Sequence, residues 1–155
     1  MFTIHLHQTM ASTPEQFIAG LTDFGPGRAN LFGNSTDDYL KVHRQGTKEA
    51  DVTEGSNGIW ERLHYDWSDP NRVVMTTTDS NLWSNRSGHI YTFTRRPDGK
   101  TDLDAVVVRD GKNIRGRLLG FVLRFFGERI LGGALVNTVK AIDGRSGGSR
   151  AAKLA

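Results

Sequence analysis

The stretch Asn113–Asp143 limits what this chain can become more than any other. It lies in the longest proline-free run, and it holds Leu118, Leu119, Phe121, Val122, Leu123, Phe125 and Phe126 almost without interruption. Apolar residues at this density, with no breaker over several turns, read as one long helix. Nothing upstream reads as a second long helix, so the remaining chain must supply a sheet that wraps this one. On a helical wheel Leu118, Leu119, Val122, Phe125, Phe126 and Ile130 share one broad face, with Arg117, Arg124 and Glu128 opposite. That apolar face is expected to look toward the sheet. Arg129 falls inside the same sector, where an aliphatic residue is expected. Beyond Gly132-Gly133 the apolar positions Leu135, Val136, Val139 and Ile142 centre on another side, so a bend or change of facing is expected there.

The rest of the chain alternates. Phe2, Ile4 and Leu6 interleave with Thr3, His5 and His7, the period of a half-buried strand. His5 and His7 share the polar face, and without a third ligand in view they read as surface histidines, not a metal site. Ser12-Thr13-Pro14-Glu15 is a helix start, with Ser12 as cap, Glu15 reaching back and Pro14 in the first turn. A second short helical turn is expected over Arg28 to Phe32, after a Gly25-Pro26-Gly27 turn that lacks the pattern of a phosphate loop. From there six strands follow, roughly Tyr39–Gln45, Lys48–Glu54, Ile59–Trp67, Arg72–Ser80, Gly88–Arg95 and Asp102–Asp110. Short turns separate them, which favours an antiparallel meander.

Size and composition set outer limits. A chain of 155 residues is one domain, long enough to bury a core or enclose a pocket. There is no cysteine, so neither disulfides nor thiol chemistry is available. No apolar run approaches the roughly 20 residues of a membrane span, so stable membrane insertion is not expected and a cytoplasmic location is. The formal charge of +3 comes from the last residues: without Arg145, Arg150 and Lys153 acids and bases balance. A nucleic-acid partner is therefore not expected. The glycine- and serine-rich stretch 144–155 reads as a flexible basic tail, its end resembling the start of a vector-derived tag, outside a single domain of residues 1–143.

Strand parity selects candidate site residues. In Ile59–Trp67 the odd positions Ile59, Glu61, Leu63, Tyr65 and Trp67 are the apolar set and should face the helix, with Glu61 the charged exception. The matching sets are Val73, Met75, Thr77 and Asp79, then His89, Tyr91, Phe93 and Arg95, then Leu103, Ala105, Val107 and Arg109. If Trp67 pairs with Val73, the registers chain into an inward polar row Glu61–Asp79–His89–Arg109, overlooked by Arg129. Charges on a core face are costly unless paired. Three readings stay open. The row is a pocket floor in which Glu61 or Asp79 acts as acid or base and His89 relays protons, with Arg109 or Arg129 holding an anion. It is a self-paired network that binds nothing. Or a β-bulge inverts one strand and puts half of it in water. Trp83 sits in the Asn81–Ser87 loop, where a lid over a cavity mouth is one reading.

The order strand, two short helices, six antiparallel strands and a long C-terminal helix resembles the START-related, birch-pollen-allergen-like (SRPBCC) superfamily, in its polyketide cyclase/dehydrase and lipid-transport branch. The opening strand into Ser12-Thr-Pro-Glu-Gln-Phe17 carries this resemblance, with Ala50-Asp-Val-Thr-Glu-Gly55 through Ile59-Trp-Glu-Arg-Leu-His-Tyr-Asp-Trp67 and the terminal helix. It implies an α+β helix-grip fold, a seven-stranded antiparallel sheet around the helix, with a cavity between them of at least about 300 Å³. The function it implies is binding or transport of a hydrophobic or amphipathic small molecule such as a lipid or polyketide-like metabolite. The alternative is a cofactor-free cyclase or dehydratase using Glu61, Asp79 and His89. Expected ligand contacts are Leu63, Tyr65, Trp67, Met75, Tyr91, Phe93, Arg109, Leu118, Val122, Phe125 and Arg129. No cofactor or metal is expected, and the chain is read as a monomer or homodimer.

Overall fold

The computed structural model describes the backbone of residues 1–154, and the side chains of those residues other than 149–152 and 154. Strand β1 (Phe2–Met10) leads into helix α1 (Pro14–Leu21) and a single 3-10 turn (Arg28–Asn30). Strands β2 (Lys41–Gln45), β3 (Glu49–Ser56), β4 (Ile59–Asp66), β5 (Arg72–Ser80), β6 (Gly88–Arg95) and β7 (Thr101–Arg109) follow, and helix α2 (Ile114–Leu154) ends the chain. All seven strands form one antiparallel sheet in the order β1-β7-β6-β5-β4-β3-β2. The meander runs from β2 to β7, and β1 closes onto β7 from the far end of the sequence. This is the expected α+β architecture, with strand ends within two residues of those read from turn chemistry.

Local chemistry places the elements. Thr13, not Ser12, caps α1: its Oγ1 accepts from the Gln16 amide at 3.2 Å, and Gln16 Oε1 accepts from the Thr13 amide at 2.9 Å. The capping box is thus one residue later than expected, because Ser12 is engaged elsewhere. Its amide donates to Asp143 Oδ1 at 2.9 Å, and its hydroxyl bonds the same oxygen, tying the start of α1 to α2. Between these elements the core fills with Phe17, Leu21, Tyr65, Val73, Phe93, Leu103, Leu135, Val139 and Ile142.

Helix α2 runs without a break across Gly132-Gly133 and on through residues 144–154, the stretch read above as a tail. Arg145 there lies 3.1 Å from Asp23. The change of facing at the glycine pair is present as a change in what is buried. Beyond it Leu135, Val139 and Ile142 enter the core. Before it the buried positions are Gly116, Gly120 and Gly127, and Leu119 and Leu123 are half-buried. A β-carbon on Gly127 would come within 2.4 Å of Ile4 Cδ1, and one on Gly116 within 2.1 Å of the Leu82 carbonyl oxygen. The helix lies so close to β1 and the 81–83 loop that only glycine fits.

This inverts the expected facing of the first half. Leu118, Phe125 and Phe126 are 66, 63 and 59% exposed, and Val122 and Ile130 are also exposed. The wheel located the apolar stripe correctly but could not say that the opposite, glycine-bearing stripe takes the sheet.

Candidate functional site

Beside α2, the inner face of β3–β6 leaves a cavity of about 280 Å³, slightly under the volume expected from sequence. Leu63, Met75, Tyr91, Leu119, Leu123 and Leu131 supply much of its apolar wall. Two clusters of buried polar groups interrupt that wall.

The first is centred on Glu61. Its carboxylate is 11% exposed and accepts from Arg109 Nη1 at 2.9 Å and from the Thr77 hydroxyl. Arg109 in turn donates from Nη2 to His89 Nε2 at 2.7 Å, and its guanidinium lies 5.2 Å from the Trp83 ring centroid. Because arginine only donates, Nε2 must be the accepting nitrogen and the imidazole proton resides on Nδ1. Among the described residues that buried Nδ1 has no hydrogen-bond partner. Burial, and then the Arg109 cation, hold the His89 pKa well below its ordinary value, so the ring is neutral near neutral pH.

The second cluster is centred on Glu54, which accepts from Arg28 Nε at 2.9 Å, from Ser35 Oγ at 2.6 Å and from the Tyr65 hydroxyl. Arg28 is 1% exposed in its side chain and lies 4.8 Å from the ring centroids of both Phe24 and Phe32. Its Nη1 donates to the Leu21 and Asp23 carbonyls, each at 2.8 Å. Burial opposes its charge, but Glu54 and Tyr65 outweigh that and raise its pKa. Burial and the Glu54 carboxylate push the Tyr65 phenol well above its ordinary value, and Tyr91 up to about 12.

Of the expected polar row, Glu61, His89 and Arg109 border the cavity, and Arg109 bridges the other two. Asp79 does not join them. The β4–β5 register runs as expected through Tyr65 opposite Met75 and Leu63 opposite Thr77, then slips, so that Arg62 faces Asp79 and Glu61 faces Ser80. The slip leaves Thr78 as the extra residue of a β-bulge and turns Asp79 outward, where it is 58% exposed and 3.4 Å from Lys112. Thr77, not Asp79, is the β5 side chain that meets Glu61.

Among the expected ligand contacts, Leu63, Tyr65, Met75, Tyr91 and Arg109 line the cavity. Phe93 is buried in the core and Trp67 packs partly buried against it, both away from the cavity wall. Leu118, Val122, Phe125 and Arg129 are on the solvent side of α2, for the glycine-packing reason given above. Trp83 is buried at the cavity wall against Arg109, and Trp60, an even position of β4, also borders the cavity. His5 and His7 are exposed, and His7 Nδ1 is 2.8 Å from Asp104. No group of three metal-ligating side chains occurs among the described residues.

Sequence reasoning missed Glu54 and Arg28. For Glu54 a signal existed: Ala50, Val52 and Glu54 share one parity in β3, and Glu54 is the charged exception there just as Glu61 is in β4. For Arg28 there was none, since it enters the core from a 3-10 turn.

No protein-family model matches the sequence, and no curated protein matches it. Solved structures do match in shape. A START superfamily protein from Mycobacterium smegmatis aligns at TM-score 0.64 and 11% identity, over 92% of this chain and 95% of its own. The Zhui aromatase/cyclase of a Streptomyces species aligns at TM-score 0.66 and 14% identity, over 93% and 92%. This chain has the START-like (SRPBCC) fold. A Thermus thermophilus protein of the same shape aligns at TM-score 0.65 and 14% identity, over 93% of this chain and 96% of its own. Within this START-like fold the cavity lies between the sheet and the long C-terminal helix. No helix among the described residues is long and apolar enough to cross a membrane.

Proposed function

We infer that the protein binds a small amphipathic molecule in the cavity between sheet and α2, with an apolar body against Leu63, Met75, Leu119 and Leu123 and a polar group toward His89. The observation that carries this reading is the unpartnered Nδ1–H of His89. Among the described residues it is the fully buried side-chain polar atom left without a partner, and a buried donor in that state costs about 1–3 kcal/mol. A ligand oxygen accepting from Nδ1 would remove that cost. The Arg–Glu pairs on either side hold the walls in fixed positions, which favours a defined ligand orientation over nonspecific filling. Native mass spectrometry of protein purified from its own host tests the reading. A co-purified small molecule is expected in the wild-type protein and lost from Leu123→Trp, which fills the cavity from the helix side. Protein free of any adduct when purified from that host would overturn it.

A second reading, cofactor-free acid–base chemistry on a polyketide-like substrate, draws on the same histidine. A neutral imidazole with its proton on Nδ1 can hydrogen-bond a carbonyl and stabilise a developing enolate, with Arg109 keeping Nε2 as acceptor. Turnover of a poly-β-ketone to a cyclised product, abolished by His89→Phe, would favour it. Identical product profiles with and without the protein would leave binding alone.

A further inference from the structure

The first half of α2 presents a combination rare on a protein surface. Ile114, Leu118, Phe121 and Phe125 are between 62 and 83% exposed and lie along one side of a single helix, and Phe126 and Ile130, 59 and 52% exposed, widen that apolar face around the helix. Over this length the helix extends about 25 Å, so the apolar side chains form a continuous stripe and not scattered residues. The stripe is not a misplaced core. Its opposite side carries the glycines that fit against Ile4 and Leu82, so the helix cannot roll to bury its phenylalanines without driving those large side chains into the sheet. The charges around the stripe have one sign. Arg115 and Arg129 lie within it and Arg117 and Arg124 along its edge, all exposed, and the acid among them is Glu128.

We propose that this face docks on the surface of an anionic lipid bilayer, with the phenylalanines in the headgroup–acyl boundary and the arginines on lipid phosphates. Apolar aromatic side chains beside arginine are the chemistry of an interfacial helix. The charge pattern selects the membrane over a second copy of the chain. A two-fold interface would bring this face onto itself, arginine against arginine, with only Glu128 of each copy to offset them. Docking of this kind lays the helix flat and requires no spanning segment. The docking surface stands independently of what the cavity holds.

The test is flotation of the full chain with vesicles of equimolar phosphatidylcholine and phosphatidylglycerol, and with phosphatidylcholine alone. Binding to the mixed vesicles is expected to be tighter by roughly tenfold or more, and to weaken in high salt. Phe121→Ser combined with Phe125→Ser is expected to abolish it, with an unchanged thermal melt because both side chains are exposed. Phe125→Trp gives an independent reading: its emission should shift to the blue on mixed vesicles and be quenched by brominated acyl chains. Equal or absent binding to the two vesicle types, or binding that survives the double serine variant, would overturn the proposal. So would a dimer by light scattering that the serine variant converts to monomer.

Discussion

Glu54 and Glu61 are directly opposite one another on neighbouring strands β3 and β4, two buried carboxylates side by side, each with an arginine of its own. Like charges placed opposite in a sheet repel, and buried carboxylates lose their hydration. The pair is tolerated because Arg28 arrives from the 3-10 turn on one side and Arg109 from β7 on the other. The two arginines come from distant parts of the chain, so this carboxylate pair fastens the turn, the β3–β4 hairpin and the end of β7 around one cavity.

Removing Arg28 should be the more damaging change than removing the whole pair. Arg28→Met leaves Glu54 buried against Tyr65 and Ser35 with no cation, and is expected to cost about 3–5 kcal/mol. Arg28→Met with Glu54→Gln should recover much of that loss. Urea unfolding of the three proteins checks this, and a double variant as unstable as the single one would contradict it.

Stability should fall on acidification in two windows. His89 is held neutral in the fold by burial and Arg109, so its folded pKa lies below the unfolded value of 6.5. Above that pH both states are neutral and the group contributes nothing. Below it the unfolded chain takes up a proton that the fold refuses, so stability drops as pH falls. Asp110 acts lower down: hydrogen bonds from Ser84 and Arg86 hold its pKa near about 2 against 3.8, so its contribution is lost only as pH falls through that interval. His89→Phe should flatten the upper window and leave the lower one. Urea midpoints measured across pH separate the two, and an unchanged upper window in the variant would count against the assignment.

The glycines of α2 should divide by position. At Gly116 an added methyl meets a backbone carbonyl at 2.1 Å, which cannot rotate away, so Gly116→Ala is expected to destabilise by about 1–3 kcal/mol. At Gly133 nothing is within 4 Å, and Gly133→Ala should stabilise by roughly 0.5–1 kcal/mol through helix propensity. Thermal melts of both variants decide it. Stabilisation by Gly116→Ala would mean that α2 does not pack on the Leu82 carbonyl as described.

Glu61 and Asp79 should behave differently, although strand parity pairs them. Glu61→Gln alters the Arg109–His89 chain at the cavity wall and should weaken retention of a co-purified ligand about tenfold or more, a loss of one charge-assisted hydrogen bond. Asp79→Asn, on the outer face, should leave retention unchanged. Native mass spectrometry under matched conditions compares them, and an Asp79 effect equal to that of Glu61 would contradict the bulged register.

The sequence by itself determined the order of elements, the sheet's direction and the inward parity of β4 and β6. These follow from local rules: turn residues end strands, and side chains alternate. Parity therefore placed Glu61, His89 and Arg109 on one face, but the expected registers do not hold: His89 pairs with Met75 on β5 and Val107 on β7, not with Asp79 and Arg109, and the long Arg109 side chain closes the remaining gap to His89. Tertiary structure decided the rest. One extra residue at Thr78 reversed the facing of Asp79, and a bulge leaves no mark in an alternating pattern. Only contact between a turn and a strand brought Arg28 to Glu54. Periodicity found the two stripes of α2 but not which one is buried, because burial is settled by how closely the helix can approach β1. There the glycines, with nothing to remove from water, win the sheet on steric grounds, and the phenylalanines are left facing out.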